Sequence, residues 1–521
     1  MNSGRTIQHM LVVALLLAVA WTFGATRTAL AATIVVDGVT CTLADAITAA
    51  NTDTATGGCP AGSGADTLEL AADITLTNRL PAIVSEVTLQ GNSHTIQRLP
   101  SAPAFRILEI GPYGDATIND VTITGGDDDD GGGILVRSTL VISDSTISGN
   151  VADSGGGVHC YLCYMSIYNS TVSGNTATQA GGGLDLFWEL PTEKAYSPDG
   201  LLSKDRTIDG SWYVQIFDST IAGNSAQAGG GVSIHGVSVG MEGTTVTGNT
   251  ALRGGGILNY QGSASLESST LSGNIATEKG GAIYNESFAL EPRQTTATNS
   301  AIPVIAMKSP TYGGIIDLSN STVVENSAPL GAGIYNYHVG PPQYIARLRP
   351  SNSILAAQSN GVDCVSEGGA VVESQGYNIE SGTTCGFTAI GDQQNVTAAQ
   401  LNLAPLANNG GPTWTHALTP GSAAIDQGNC PNVTADQRGY PRPIDQPGVP
   451  NAADGCDVGA FELQIPTAVT AVEFAAVEQA ACFSVSSCVV ALVIATLLLA
   501  TGIRASRLSP SIGSYIETQP R

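Results

Sequence analysis

Acidic side chains occupy two places in the sequence where they could do chemistry. The first is a run between glycines, formed by Asp127, Asp128, Asp129 and Asp130. Calcium prefers several oxygen ligands, so this run could hold calcium, although acidic runs are commonly only solvated. The second is a pair, Glu242 and Glu267, which occupy the same position in two neighbouring repeats of the sequence. Such a pair could bind a cation or act on a glycosidic bond, and the alternative is a solvated outer face.

Aromatic side chains mark a second candidate site. The chain has four tryptophans, and two of them, Trp188 and Trp212, fall within one insertion. Together with His235, Tyr260 and Tyr284 on neighbouring segments, they could form a surface on which sugar rings stack. The same rings could instead pack the inserted segment onto the rest of the fold. Both interpretations stay open.

The charge balance excludes one class of partner. The chain has 20 basic and 44 acidic residues and a formal net charge of −24. Binding to nucleic acid needs a basic surface, so nucleic acid is not expected as a partner. A polysaccharide lyase would need a basic side chain beside its carboxylates, and in the repeats Arg253 and Lys279 stand nearly alone. The acidic surface fits an extracellular protein that charge keeps soluble.

One short phrase recurs along the middle of the chain and sets the positions of these side chains. It ends at asparagines that lie 25, 49, 25, 25 and 52 residues apart, namely Asn150, Asn175, Asn224, Asn249, Asn274 and Asn326. A glycine cluster and an aliphatic residue follow each asparagine, for example Gly181 to Gly183 with Leu184. A period near 25, sometimes doubled, is typical of a solenoid.

The repeated unit predicts strands. Thr, Ser, Val and Ile alternate over short runs without helical periodicity, and glycine and asparagine suit the bends. Stacked coils would place equivalent side chains about 4.8 Å apart, close enough for asparagine amides to bond along a ladder. Parallel crossovers are right-handed in about 98% of cases. We therefore predict an all-β fold, a right-handed parallel β-helix with coils of about 25 residues.

Two insertions interrupt the period, near residues 185–213 and 286–314. The step from Gly183 to Thr220 spans 37 positions, against 14 from Gly256 to Thr270. Prolines and charged residues in the extra sequence favour loops, and degenerate coils are the alternative. As loops, the insertions would stand three coils apart and flank a groove lined by the aromatic residues. Loops on a rigid scaffold commonly carry function.

The two ends of the chain predict export and anchoring. Residues 1–31 combine Arg5, a short apolar run and small residues, which is typical of a cleaved signal peptide. After a linker at 465–479, residues 480–503 contain no charge and are long enough to cross a bilayer as a helix. Arg504 and Arg507 follow, so the tail 504–521 is expected in the cytoplasm and the β-helix outside. A buried helix or a cleaved sorting tail are the alternatives.

Both edges of the repeat region resemble known bacterial surface domains. Residues 32–100 contain Thr40-Cys-Thr-Leu-Ala-Asp-Ala-Ile-Thr-Ala-Ala-Asn51 and resemble the CSLREA domain. Residues 351–464 contain Gly376-Tyr-Asn378, Pro420-Gly-Ser-Ala-Ala-Ile-Asp426 and Asp436-Gln-Arg-Gly439, and resemble the choice-of-anchor Q domain. The resemblance implies a surface protein of the pectin-lyase-like β-helix type, with the repeats at 101–350, and it implies no reaction. Thr42 and Asp45 predict a short capping helix that ends at Asn51.

Cysteines and buried ionic groups are expected to close the two ends. Three pairs are near enough in sequence to form disulfides, namely Cys41 with Cys59, Cys364 with Cys385 and Cys430 with Cys456. Cys160 and Cys163 could form a local disulfide, remain core thiols or bind a metal. Four polar residues of the C-terminal part could be mistaken for catalytic groups, but we expect them in a buried network that closes the last coil: His416, Asp436, Arg438 and Asp457.

Three functions remain open. We favour a non-catalytic protein that binds an extracellular glycan or another cell surface. A passive stalk or surface-layer component is the second, and a polysaccharide lyase or hydrolase is the third, because a fold alone does not give a function. Calcium is the only cofactor that the sequence suggests.

Overall fold

Short strands separated by tight turns make up most of the described chain. The computed structural model describes residues 31–187, 213–288, 313–340 and 344–465. Within these ranges the named strands pair in parallel, and each coil contributes up to four strands. Equivalent strands of successive coils form four ladders, numbered here in the order in which the chain enters them. The chain is therefore a parallel β-helix, as predicted.

The first two ladders form one continuous sheet, because the long strands β4 and β6 belong to both. The first ladder consists of β1 (Thr33–Val36), β2 (Asp66–Leu70), β4 (Glu86–Arg98), β6 (Asp115–Thr124), β9 (Thr139–Ser143), β13 (Tyr164–Tyr168), β17 (Tyr213–Phe217), β20 (Ser238–Glu242), β24 (Ser263–Glu267), β28 (Ile315–Ser319), β31 (Arg347–Ser351) and β34 (Val371–Val372). The second adds β3 (Ile74–Leu76), β10 (Thr146–Ser148), β14 (Thr171–Ser173), β18 (Thr220–Ala222), β21 (Thr245–Thr247), β25 (Thr270–Ser272), β29 (Thr322–Val324), β32 (Ile354–Leu355) and β35 (Ile379–Glu380).

The third and fourth ladders complete each coil. The third is short and consists of β7 (Asp127–Asp130), β11 (Val151–Ser154), β15 (Thr176–Ala180), β22 (Thr250–Arg253) and β26 (Ile275–Lys279). The fourth is a nine-stranded sheet of β5 (Leu108–Ile110), β8 (Ile134–Val136), β12 (Val158–Tyr161), β16 (Leu184–Phe187), β19 (Val232–His235), β23 (Ile257–Tyr260), β27 (Ile283–Phe288), β30 (Ile334–Val339) and β33 (Cys364–Glu367).

The asparagine at the end of each repeated phrase turns inward and joins its neighbours in a ladder. Asn249 shows the pattern: its Oδ1 accepts hydrogen bonds from the backbone N and from Nδ2 of Asn224, at 2.9 and 3.0 Å. Its own Nδ2 donates to Asn274 Oδ1 at 3.0 Å and to the carbonyl of Ile221 at 2.9 Å. The same contacts run through all six predicted asparagines and end on Gln358. The predicted ladder is confirmed, and it pairs buried polar groups that would otherwise be costly.

The glycine cluster is required by the close approach of successive coils. Gly181 has a φ of +61°, a left-handed conformation that L side chains rarely adopt. A Cβ on Gly182 would lie 2.5 Å from the carbonyl oxygens of Gly230 and Ser225 in the next coil. No residue larger than glycine fits without moving the backbone, so the cluster holds the corner between the third and fourth ladders.

The two insertions leave the ladders continuous. They follow β16 and β27, which are three steps apart in the fourth ladder, with β19 and β23 between them. After the first insertion, β17 pairs directly with β13 and β20, and after the second, β28 pairs with β24 and β31. Among the described residues, no strand intervenes between these paired strands, and most of both insertions lies outside the described residues.

A helix packs against the first coil. Helix α1 (Leu43–Thr52) begins after Thr42, whose side chain accepts a hydrogen bond from the backbone N of Asp45. Leu43, Ala46 and Ile47 are buried in the same apolar cluster as the first strands. The helix therefore lies where the sequence predicted it and adds apolar cover to that coil.

The C-terminal residues fold back over the second ladder. These residues include α2 (Ala398–Leu401) and the segment that follows it. In that segment, the carbonyl of Trp414 accepts a hydrogen bond from Thr245 Oγ1 of the second ladder at 2.7 Å, and Gln437 Oε1 accepts one from Thr270 Oγ1 at 2.6 Å. Both threonines are fully buried. The outer face of the second ladder is therefore covered there, and it offers no open surface around these strands.

The predicted disulfides are present. Cys41–Cys59, Cys364–Cys385 and Cys430–Cys456 are bonded, and so are Cys160 and Cys163, which settles the alternatives for that pair. Residues 1–30 and 466–521, which carry most of the predicted signal peptide and the predicted membrane span, lie outside the described residues. Among the residues that are described, no helix is both long and apolar enough to cross a membrane.

Candidate functional site

The outer surface of the fourth ladder, the fourth-ladder face, carries the most varied chemistry of the repeats. Strand alternation places the first and third residues of each strand in the core and the second and fourth residues outside. In β12, for example, Val158 and Cys160 belong to the apolar core, whereas His159 and Tyr161 take the outward positions. Because each strand is in register with the next, the second residues form one track along the helix axis and the fourth residues form another.

The fourth-residue track is a column of rings. It contains Tyr161, Phe187, His235 and Tyr260, one from each of four successive strands, and all four are half-buried. The centroids of neighbouring rings are 6.0, 5.5 and 5.6 Å apart. The next position is Glu286, and the ring of Tyr337 follows it. The column therefore contains the last two strands before the first insertion, β12 and β16, and the first two strands after it, β19 and β23.

A polar cluster lies beside the column in the second-residue track. Asp185 is 2% exposed, and its Oδ2 lies 3.0 Å from His159 Nδ1. On the other side, Asp185 Oδ1 lies 3.9 Å from His235 Nε2, which is 2.7 Å from Ser233 Oγ. Serine and aspartate thus approach the same imidazole nitrogen. A catalytic triad needs them on opposite nitrogens, so this cluster is not arranged for nucleophilic attack by the serine.

Further along, the second-residue track becomes apolar and aromatic. Tyr284 and Tyr335 stack with centroids 5.3 Å apart and form a small cluster with Leu258. Lys279 Nζ donates to the hydroxyl of Tyr335 at 2.6 Å and lies over its ring, and that hydroxyl also contacts Glu367. Burial, followed by Glu367, raises the pKa of Tyr335. The hydroxyl therefore stays protonated, and this group of residues holds the coil corner together.

The structure brings only part of the predicted aromatic site to the surface. His235 and Tyr260 are neighbours in the column, as the proposed groove requires. Tyr284 is 3% exposed because it stacks against Tyr335 on the outer side of the strands, so it does not present its ring to a ligand. Trp188 and Trp212 lie outside the described residues.

Sequence reasoning missed the other members of the face. Tyr161 and Phe187 belong to the column, and Asp185 lies in the polar cluster beside it. A usable signal was available, because each of these residues occupies a fixed offset from its glycine cluster. Aligning the strands by that cluster would have placed the rings in one column.

The acidic run is held by arginines. Asp128 contacts Arg79 and Arg106, the latter at 3.2 Å, and Asp127 lies 3.6 Å from Arg98. Burial alone would raise the pKa of Asp128, but hydrogen bonds from Arg106 and from the backbone N–H of Asp129 outweigh it, so the pKa lies below its usual value. Ion pairs therefore engage Asp127 and Asp128, two of the four residues that were considered for calcium. In the part of the chain that the structure describes, no three acidic, histidine or cysteine side chains are arranged to hold a metal ion.

The carboxylates of Glu242 and Glu267 are neighbours in the first ladder, as the repeat predicted. Burial raises the pKa of Glu242, and the negative charges of Glu267 and Asp218 add to this effect. Both glutamates are exposed at the end of their strands. This arrangement matches the solvated outer face that the sequence offered as one interpretation.

The four C-terminal residues that could be mistaken for catalytic groups are buried, namely His416, Asp436, Arg438 and Asp457. Arg438 donates to Asp436 Oδ2 at 2.6 Å and to the carbonyl of Glu462 at 2.7 Å. Burial, together with the charge of Glu462, raises the pKa of Asp457 to about 7, and burial lowers the pKa of His416. Arg438 bonds Asp436, and Asp457 accepts from the backbone N of Asp426 and Leu463. His416 is apart from them, because its ring nitrogens lie 2.8 Å from Ser272 Oγ and from the carbonyl of Ala404.

One ion pair of this network was missed. Arg442 Nε donates to Glu462 Oε2 at 2.8 Å, and both side chains are fully buried. Arg442 Nη2 also bonds the carbonyls of Asp457 and Gly459, at 2.9 and 2.8 Å. The two residues are 20 positions apart, and no repeat relates them, so the sequence offered no sign of the pairing.

Comparisons with known proteins match the repeats and give no close relative. Residues 268–286 match the model of the Chlamydia polymorphic membrane protein repeat, a segment that runs from just before β25 into β27. No curated protein matches the sequence. Among solved structures, the chain is similar to the crystal structure of pectate lyase Pel9A, with 13% sequence identity, coverage of 81% of this chain and 91% of that chain, and a TM-score of 0.39.

Proposed function

We propose that this chain is a surface-anchored β-helix protein that binds a glycan on the fourth-ladder face and catalyses no reaction. The observation that carries the proposal is the column of Tyr161, Phe187, His235 and Tyr260, which are half-buried and in register across four coils. Aromatic rings offer sugars an apolar surface, and histidine adds a hydrogen-bonding group at its edge. The first insertion begins after β16, which belongs to the column, and the second begins after β27, one strand beyond it.

Export and anchoring are part of the same proposal. A signal peptide at residues 1–31 and a membrane span at 480–503 would leave the β-helix outside the cell. The repeat match supports this location only through its family name, which describes a membrane protein. The CSLREA and choice-of-anchor Q resemblances point the same way, because such domains belong to surface proteins.

A polysaccharide lyase is the second candidate, because Arg253 and Lys279 are neighbours in the third ladder and lie close to this face. Their contacts argue against it. Arg253 is bonded to Glu278 at 2.9 Å, and Lys279 is bonded to Tyr335 at 2.6 Å. Each side chain already has a hydrogen-bonding partner, so neither is positioned to act as the base of a lyase reaction. A passive stalk is the third candidate and would bind no sugar at all.

A glycan array with the full-length chain in mild detergent tests the proposal. The double variant His235→Ala, Tyr260→Ala removes two rings of the column. The matched control is Tyr168→Ala, Phe217→Ala, which removes a stacked pair from the first ladder, with centroids 5.2 Å apart. We expect the wild type and the control to bind the same glycan, and the column variant to lose at least about tenfold in affinity, or about 1.4 kcal/mol.

Other outcomes would reject the proposal or redirect it. Absence of binding by the wild type would favour the stalk, and equal binding by both double variants would move the site off the fourth-ladder face. A further variant, Trp188→Ala with Trp212→Ala, measures what the first insertion adds. Incubation with acidic polysaccharide and calcium should give no absorbance of unsaturated product, and a signal there would establish the lyase.

A further inference from the structure

We infer that the ligand of the fourth-ladder face is a linear, uncharged polysaccharide that lies along the β-helix axis. This inference rests on the proposed function and adds the chemical class and the direction of the ligand. Two independent observations carry it, namely the geometry of the ring column and the charges of β16, β19, β23 and β27.

The column fixes the direction. Its rings come from equivalent positions of β12, β16, β19 and β23, so the line that joins them runs from coil to coil, across the strands. Neighbouring centroids are 5.5 to 6.0 Å apart, a step similar to the length of one sugar unit in an extended chain. Four rings can therefore contact about four consecutive units of a linear polymer. A branched or terminal sugar would contact one or two of them.

The charges disfavour an acidic polymer. The sequences of β16, β19, β23 and β27 contain two carboxylates, Asp185 and Glu286, and neither lysine nor arginine. The cations beside these strands are already engaged, since Arg253 bonds Glu278 and Lys279 bonds the hydroxyl of Tyr335. Arg137, which takes the position next to Tyr161 in the fourth-residue track, lies 3.6 Å from Glu109. A uronic acid polymer would bring repeated negative charge to a surface whose cations have partners, and the net charge of −24 adds to the repulsion.

The same side chains suit hydroxyl groups. Ser233 and His235 lie 2.7 Å apart at the edge of the column, and the side chain of His235 is 25% exposed. An imidazole at the surface can donate to or accept from a sugar hydroxyl without a change in charge. The face thus combines apolar rings with hydroxyl and imidazole groups that can bond a sugar hydroxyl, which is the chemistry that an uncharged sugar needs.

Oligosaccharides of increasing length test the inference on the full-length chain. The probes are uncharged gluco-, manno- and chito-oligosaccharides of two to six units and oligogalacturonates of the same lengths, measured by calorimetry. For one uncharged series we expect affinity to rise by at least about tenfold from two to four units and then to level off. In the double variant His235→Ala, Tyr260→Ala, affinity should stop rising at fewer sugar units than in the wild type. The first-ladder control, Tyr168→Ala with Phe217→Ala, should behave as the wild type does.

The possible failures are distinguishable. Oligogalacturonates that bind as tightly as the uncharged series, or affinity that is already complete at two units, would overturn the inference while glycan binding itself stands. The same conclusion follows if only a branched glycan of the array binds. If no glycan binds the wild type, the proposed function falls, and this inference falls with it.

Discussion

The asparagine corner and the fourth-ladder face belong to the same coils, and they use side chains in opposite ways. At the corner, an asparagine recurs at the equivalent position of six coils. Asn224, Asn249 and Asn274, for example, bond each other and the backbone. On the fourth-ladder face, equivalent positions hold different residues, such as His159, Asp185 and Ser233 in successive coils. Repetition at the corner gives stability, whereas variation on the face leaves chemistry available to a partner.

Hydrogen bonding gives the same contrast. Each asparagine amide of the ladder bonds the next asparagine and a backbone carbonyl. On the face, the buried Asp185 Oδ1 and His159 Nδ1 are without a hydrogen-bond partner among the described residues, although His159 is within ion-pair distance of Asp185. Buried groups that are left incompletely paired lower stability, and they are found where function requires them.

The largest effect is expected from breaking the corner. Asn249→Ala removes the acceptor for two hydrogen bonds from Asn224 and the donor to the carbonyl of Ile221. Each buried group left unpaired costs about 1–3 kcal/mol, so the free energy of unfolding should fall by about 3–5 kcal/mol. Urea unfolding followed by circular dichroism measures this. A loss below about 1 kcal/mol would show that the ladder contributes little.

A smaller effect is expected from pH, which should change the stability of the buried C-terminal network more than that of the repeats. The asparagine ladder contains no titratable group, so its contribution to stability should not depend on pH. The dependence should come mainly from the C-terminal network around Asp457. The pKa of Asp457 is raised to about 7 by burial, above its unfolded value near 4. The folded state then holds the proton more tightly, so stability should be greatest below about pH 4 for this group and decline as the pH rises to about 7.

Asp457→Asn tests this dependence. The variant should lose much of the decline in melting temperature between pH 5 and pH 7.5, because its side chain does not titrate. Asp445→Asn, which changes an exposed aspartate of the same segment, is the control. If Asp457→Asn keeps the slope of the wild type, the cap is not the source of the pH dependence.

The smallest effect on stability is expected on the face itself. Asp185→Asn keeps the shape of the side chain and removes a buried charge whose Oδ1 makes no hydrogen bond. The free energy of unfolding should change by less than about 1 kcal/mol, far less than for Asn249→Ala. Urea unfolding of the two variants side by side gives the comparison. Equal losses would mean that the polar cluster is as structural as the corner.

The sequence predicted what depends on repetition. The period of the asparagines, the glycine clusters and the pairing of Glu242 with Glu267 all follow from equivalent residues that stack in register. The three cap disulfides and helix α1 followed from short local spacings. In each case the partner is either a copy of the residue or lies within the same segment.

The sequence did not predict contacts between unlike residues from different coils. Arg79 and Arg106 contact Asp128 from 49 and 22 positions away in the sequence, and no sequence motif indicates these contacts. Tyr284 illustrates the other difficulty, because it occupies the second outward position, where neighbouring tyrosines bury it. Outward position alone therefore did not give exposure.

The most direct test of the account is to locate the bound sugar. Hydroxyl-radical footprinting of the full-length chain, with and without the tightest oligosaccharide of the array, reads the exposure of each tyrosine ring by mass spectrometry. The account predicts protection of Tyr161 and Tyr260 on the fourth-ladder face, with Tyr168 on the first ladder unchanged. Protection of Tyr168 without protection of Tyr260 would contradict it.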